Sequence, residues 1–117
     1  MKKLFSLLII VFLLVGCSSA KYETIDSNYA MKLINDGAYI IDVRTEDEYN
    51  TGHIINSVNI PLDIIDTIDY NLDDMIIVYC STGIRSEEAS KKLISMGYNK
   101  VYNLDGGLIN WGFELEE

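Results

Sequence analysis

Cys80 is followed by Ser81-Thr82-Gly83-Ile84-Arg85-Ser86, so a thiol and a guanidinium are separated by four residues, all small or apolar. Before it, Met75-Ile76-Ile77-Val78-Tyr79 is a β-rich apolar run, suited to a strand buried on both faces. After it, Ser86 to Met96 reads as a helix, with acids first, lysines later and Gly97 as its stop. A thiol at such a junction faces unpaired backbone N–H groups and the positive end of a helix. Both favour an anion. The pattern is that of a cysteine held as a thiolate nucleophile at neutral pH. A buried, inert cysteine at a strand end is the plainer alternative; the flanking loop and Arg85 weigh against it.

The surrounding elements alternate. Tyr22 to Ile25 reads as a short strand, and Asp26 or Ser27 caps a helix to about Asn35 that stops at Gly37. Ala38 to Val43 is an apolar run bounded by turns, hence a second strand. Thr45 starts an acidic helical turn through Tyr49, ended by Gly52. Ile54 to Ile60 contains a third strand, stopped by Pro61, and Leu62 to Ile68 reads as a brief helix. Met75 to Tyr79 is the fourth strand and Lys100 to Leu104 the fifth. Gly106-Gly107 opens a last short helix carrying Trp111. This alternation implies an α/β fold: a parallel sheet of about five strands with helices on both faces. Ligands of such sheets sit beyond the carboxyl ends of the strands, where the Cys80 loop lies.

The amino terminus belongs to a different class of segment. Lys2 and Lys3 precede an apolar stretch, Leu4 to Val15, of 12 residues, too short for a comfortable membrane span. This is the form of an export signal. Leu14-Val15-Gly16-Cys17 closely resembles the bacterial lipobox. That resemblance implies cleavage after Gly16, a diacylglyceryl group on the Cys17 sulfur, a lipidated cysteine and linker over 17–21, and a globular domain over 22–117. The expected location is the cell membrane, lipid-anchored on its extracytoplasmic side. Residues 1–16 hold two lysines and no acid, so the remainder sets seven basic residues against 18 acidic ones, a net charge of −11. Nucleic acid and anionic headgroups would be repelled by such a domain, so the lipid itself is the expected membrane contact. Of two cysteines, lipidation removes Cys17 and leaves Cys80 without a disulfide partner.

Four short pieces in order carry a further resemblance. Ile41-Asp42-Val43-Arg44 with Glu48-Tyr49, then Gly52-His53-Ile54 and Asn59-Ile60-Pro61, look like the first half of a single-domain rhodanese. Cys80-x-x-Gly83-x-Arg85-Ser86 resembles its active-site loop, and Leu104-Asp105-Gly106-Gly107 with Trp111 its carboxyl-terminal signature. The resemblance implies a rhodanese-like sheet of five parallel strands and a sulfurtransferase mechanism. Cys80 would take the sulfane sulfur of thiosulfate or a persulfide donor and pass it to cyanide or a thiol. The backbone N–H groups from Ser81 to Ser86 would stabilise the persulfide anion. No cofactor is implied.

Arg85 either turns toward the bound anion or fixes the loop through carbonyls or an acid such as Glu46 or Asp42; loop shaping is favoured, because backbone donors alone hold a sulfur anion. Asp42 and Arg44 read as an internal ion pair supporting the loop rather than as a catalytic acid and clamp. His53 reads as scaffold, and one histidine without a second free cysteine argues against a metal site. Glu46-Asp47-Glu48 reads as solvated surface. The rival enzymes are cysteine-dependent phosphatases and arsenate reductases, whose loops place five residues between cysteine and arginine; the shorter loop suits one sulfur atom. A silent or sulfur-carrying binding module is the rival of another class. Many rhodaneses carry a basic residue inside this loop. Ser81, Thr82 and Ile84 are neutral, so a weak affinity for dianionic thiosulfate is expected, with a persulfide or polysulfide as the alternative donor.

Overall fold

The computed structural model describes residues 21–117. The export signal, the lipobox and Cys17 therefore lie outside the described residues. Five strands form one parallel sheet in the order β1 (Glu23–Ile25), β6 (Val101–Leu104), β5 (Ile76–Tyr79), β2 (Tyr39–Asp42), β4 (Val58–Asn59). Alternation along β5 builds the two halves of the core. Ile76, Val78 and Cys80 face a cluster with Ala89 and Leu93 of α3 (Ile84–Ser95) and Ile65 of the 3₁₀ turn Leu62–Thr67. Ile77 and Tyr79 face a second cluster with Ala30 and Leu33 of α1 (Ser27–Asn35). A central parallel strand must be apolar on both sides. Met75 to Tyr79 has that composition.

Local chemistry sets most element ends. Asp26 caps α1 by accepting from the Tyr29 N–H at 2.8 Å. Thr45 and Glu48 form a reciprocal capping box at α2 (Glu46–Asn50). Three boundaries differ from the sequence expectation. The run Ile54–Ile60 holds the expected strand at Val58–Asn59 and also the end of another: Asn56 takes a left-handed backbone (φ +70°) and the Ser57 N–H closes a turn on the Ile54 carbonyl. Asparagine tolerates that conformation. The turn sends β3 (His53–Ile54) away from the main sheet to pair antiparallel with β7 (Leu115–Glu116), a strand not expected at all. The third difference is that α3 begins at Ile84 rather than Ser86, so Ile84, Arg85 and Ser86 form its first turn.

Asp42 and Arg44 are both buried and joined at 2.7 Å. Arg44 Nε lies 3.0 Å from each Asp42 oxygen, and Arg44 Nη2 also donates to the Gly52 carbonyl at 2.7 Å. Asn59 Nδ2 donates to the Asp42 and Arg44 carbonyls, tying β4 to the same turn. The pair's side chains spend their bonds on one another and on Gly52, away from the Cys80 loop. What they fix is the segment from β2 through α2 to Gly52. Removing the guanidinium would leave a buried, uncompensated carboxylate. Arg44→Ala is expected to cost about 3–5 kcal/mol, read as a lowered urea midpoint with an unchanged slope.

Candidate active site

Cys80 leaves the end of β5 and is 1% exposed. Its walls are apolar on the sheet side, but the amides around it are turned inward. The Gly83 N–H donates to Sγ at 3.1 Å. Gly83 makes this possible by adopting φ +105°, a conformation that L side chains rarely take, as the cap of α3. Ser86 Oγ stands 3.7 Å from Sγ and donates to Asn103 Oδ1 on β6; both residues are buried. Burial pushes the thiol up. The Ser86, Gly83 and Thr82 amides outweigh it, and the thiol ends below its ordinary pKa.

The carboxyl-terminal turn holds this loop from behind. Leu108 N–H donates to the Cys80 carbonyl at 2.9 Å and Ile109 N–H to the Ser81 carbonyl at 3.1 Å. Both belong to the 3₁₀ turn Gly107–Asn110. Gly107 (φ +62°) lies so close that a Cβ there would collide with the Cys80 and Ser81 carbonyls. With those carbonyls engaged from outside, the loop's N–H groups are left to point at the sulfur.

Arg85 is half-buried beside the mouth. Its Nη1 and Nη2 bind the two carboxylate oxygens of Glu48 at 2.8 and 3.1 Å, and Nη2 also reaches Ser81 Oγ at 3.3 Å. The acid partner is thus Glu48, neither Glu46 nor Asp42, and Glu48 is not free solvated surface. Arg85, followed by the Thr45 backbone, holds the Glu48 carboxyl down to about 2. The bond to Glu48 also raises Arg85, against burial and with a smaller part from Cys80. Asp42 and Arg44 reach this site only at second hand, by fixing the segment that presents Glu48. His53 is taken up elsewhere: Nδ1 bonds the Tyr49 carbonyl at 2.8 Å and the ring stacks on Tyr49 at 3.6 Å. Among the described residues no His, Cys, Asp and Glu side chains converge to hold a metal. Asn103 was missed in the sequence; the Asn103-Leu104 step before Asp105-Gly106-Gly107 is its one local signal.

Residues 26–114 match the rhodanese-like domain. The chain belongs to that family. Rhodanese-like domain-containing protein 17 of Arabidopsis thaliana is 36% identical over 129 residues, covering 92% of this chain and 82% of that one. The adenylyltransferase and sulfurtransferase uba4 of Ogataea parapolymorpha is 32% identical over 87% of this chain. The tRNA uridine(34) hydroxylase of Erwinia tasmaniensis is 34% identical over 68% of it. The rhodanese-like chain spans only 28% and 25% of those two proteins. A rhodanese-like domain protein from Staphylococcus aureus superposes with a TM-score of 0.71 at 29% identity, over 80% of this chain and 96% of that one. The family supports sulfur-transfer chemistry, and its members are embedded in proteins of varied activity.

The Ser86 hydroxyl gives its one proton to Asn103 and toward Cys80 can only accept, so the acidification belongs to the amides. Ser86→Ala is therefore expected to leave the thiol below its ordinary pKa, read from the pH profile of iodoacetamide reaction. A midpoint restored to the ordinary thiol range would assign the acidification to the hydroxyl.

Proposed function

We propose that this chain is a sulfurtransferase that works through a persulfide on Cys80. The observation that carries the reading is the buried thiol with the Gly83 amide 3.1 Å from Sγ and the neighbouring amides turned the same way. In the first step the Cys80 thiolate attacks the outer sulfur of a donor. The bond from that sulfur to the rest of the donor breaks, and its electron pair leaves with the departing group. The product is Cys80–S–S⁻. In the second step a thiol or cyanide attacks the outer sulfur, and the S–S pair returns to Sγ. Charge and electrons balance without an oxidant. Splitting one transfer into two displacements is what a covalent nucleophile contributes.

The ring from Ser81 to Ser86 supplies stabilisation at the point where charge gathers. Main-chain donors fixed in place need no reorganisation as the sulfur anion forms. Arg85 acts here as a shaping residue, since Glu48 engages both of its terminal nitrogens. The same engagement disfavours phosphoryl transfer, which wants an open guanidinium for the equatorial oxygens. Mass spectrometry after thiosulfate or persulfide treatment is expected to show a gain of about 32 mass units, one sulfur bound to the nucleophile, absent in Cys80→Ser. Transfer to cyanide should fall by about 10³-fold or more in that variant. Hydrolysis of an aryl phosphate that disappears with Cys80→Ser would replace this reading with the phosphatase one.

The reading includes a place. The lipobox-like Leu14–Cys17 supports attachment through lipid on Cys17, with 18–21 as a short tether and the domain outside the cytoplasm. Among the described residues no helix is long and apolar enough to cross a membrane. Cells fed labelled palmitate are expected to label the protein, and Cys17→Ala is expected to abolish the label and release the domain from membranes. Label retained in that variant would remove the anchor.

A further inference from the structure

We infer that the cavity between α1 and the carboxyl-terminal strap (residues 111–117) binds a small molecule with a quaternary ammonium head. The inference is independent of sulfur transfer, because the cavity and Cys80 belong to opposite faces of the sheet. Of the residues that line it, Ile54 is part of the α1-side cluster, and Ile34 and Trp111 pack against that cluster. Cys80 belongs to the α3-side cluster.

The cavity holds about 190 Å³. That is room for a molecule of six or seven heavy atoms, since an apolar cavity of about 150 Å³ accommodates benzene. Met31 and Ile34 line it from α1, Ile55 from the end of β3, and Trp111, Phe113 and Glu114 from the strap. Ile55 is 41% exposed and Phe113 42%. An occupant would therefore take apolar surface out of water.

Charge selects the sign of the occupant. Among the described residues no lysine or arginine lines the cavity, and its one acid is Glu114. None of the ion pairs among the described residues uses Glu114. Glu116, two positions on, is already engaged: it accepts from the Asn56 N–H at 3.0 Å and stands 3.4 Å from His53 Nε2. The whole chain carries −9, a field that gathers cations and repels anions.

The aromatic pair selects the kind of cation. The Trp111 and Phe113 rings lie 5.2 Å apart with their planes inclined at 65°. Trp111 Nε1 is buried without a partner, so what the indole offers an open cavity is carbon surface. The corner between two such rings is walled by π faces, which are electrically negative. A cation there is held by the ring quadrupoles, more strongly as water leaves. A primary ammonium would forfeit its hydrogen bonds to water beside Met31 and Ile34. A trimethylated nitrogen has none to lose and meets those side chains with methyl groups. A phosphate joined to the head, as in a lipid, would face Glu114, Glu116 and Glu117 along the strap. The occupant is thus a free ammonium compound.

Trp111 is the only tryptophan in the chain, so its fluorescence reports on this cavity. The full chain is titrated with choline, with neohexyl alcohol (the uncharged carbon isostere of choline) and with phosphocholine, at one ionic strength. Calorimetry repeats each titration. Choline is expected to give a saturable change and to bind about tenfold more tightly than the alcohol, as a ring face and one carboxylate together would produce. Glu114→Gln and Phe113→Leu are each expected to weaken choline about threefold and to leave the alcohol unchanged. Phosphocholine is expected to bind more weakly than choline. Equal binding of the alcohol and choline overturns the ammonium assignment. Phosphocholine binding as tightly as choline overturns the free compound. Choline binding unchanged in both variants, or a response no larger than that to sodium chloride, overturns the site. Circular dichroism melts identify a variant that fails to fold, and Glu114→Gln carries the comparison where Phe113→Leu does.

Discussion

The main chain of Cys80 and Ser81 is pinned from outside, and the rest of the site depends on that restraint. Their carbonyls accept from Leu108 and Ile109, so the peptide planes cannot rotate to bring oxygen toward the sulfur. A loop of this size has few ways to satisfy its amides once the carbonyls are fixed. Buried backbone donors must find partners, and the Cys80 sulfur is the partner at hand. The close seat of Gly107 against those carbonyls explains the glycine at that position of the carboxyl-terminal turn. A side chain there would push the turn away and release the loop.

A second set of contacts positions the site's charge without entering it. Asp42 and Arg44 neutralise one another in the interior and fix the segment that leads to α2. The capping box of α2 uses Glu48 as its third residue, and the same carboxylate reaches across to Arg85. One acid thus closes a helix and restrains Arg85 beside the Cys80 loop. Both residues of the Glu48–Arg85 pair are partly open to water, so the contact contributes geometry more than stability. Its direction decides the electrostatics of the mouth. The guanidinium lies along the loop and is held there.

Much of this was legible in the residues, for physical reasons that differ by element. The central strands β2 and β5 could be read because a strand buried on both sides must be largely apolar. The helix ends could be read because Asp26 and Thr45 leave local signatures. Cys80 and its loop could be read because strand, small residues and helix follow in sequence. What escaped depends on distant neighbours. Glu48 and Arg85 are 37 positions apart, and nothing local separates Glu48 from Glu46 or Asp47. Asn103 gains its place only when β6 pairs beside β5 and brings it against Ser86. The Ile54–Ile60 run contained its own warning, since Asn56-Ser57 interrupts the apolar residues. The helix start was misplaced because Gly83, in a left-handed conformation, stands at the cap position usually held by a side-chain oxygen.

Burial and reactivity are reconciled at Cys80 by scale. A thiol 1% exposed in a purely apolar site would be neutral, since desolvation penalises the anion. Here the same enclosure keeps water from competing for the amide donors, and each donor gains strength as the local dielectric falls. The cradle that lowers the thiol's pKa therefore also limits what reaches it. Under the proposed sulfur transfer, the main chain selects the reacting atom and leaves the choice of the molecule carrying it to the side chains outside the cradle.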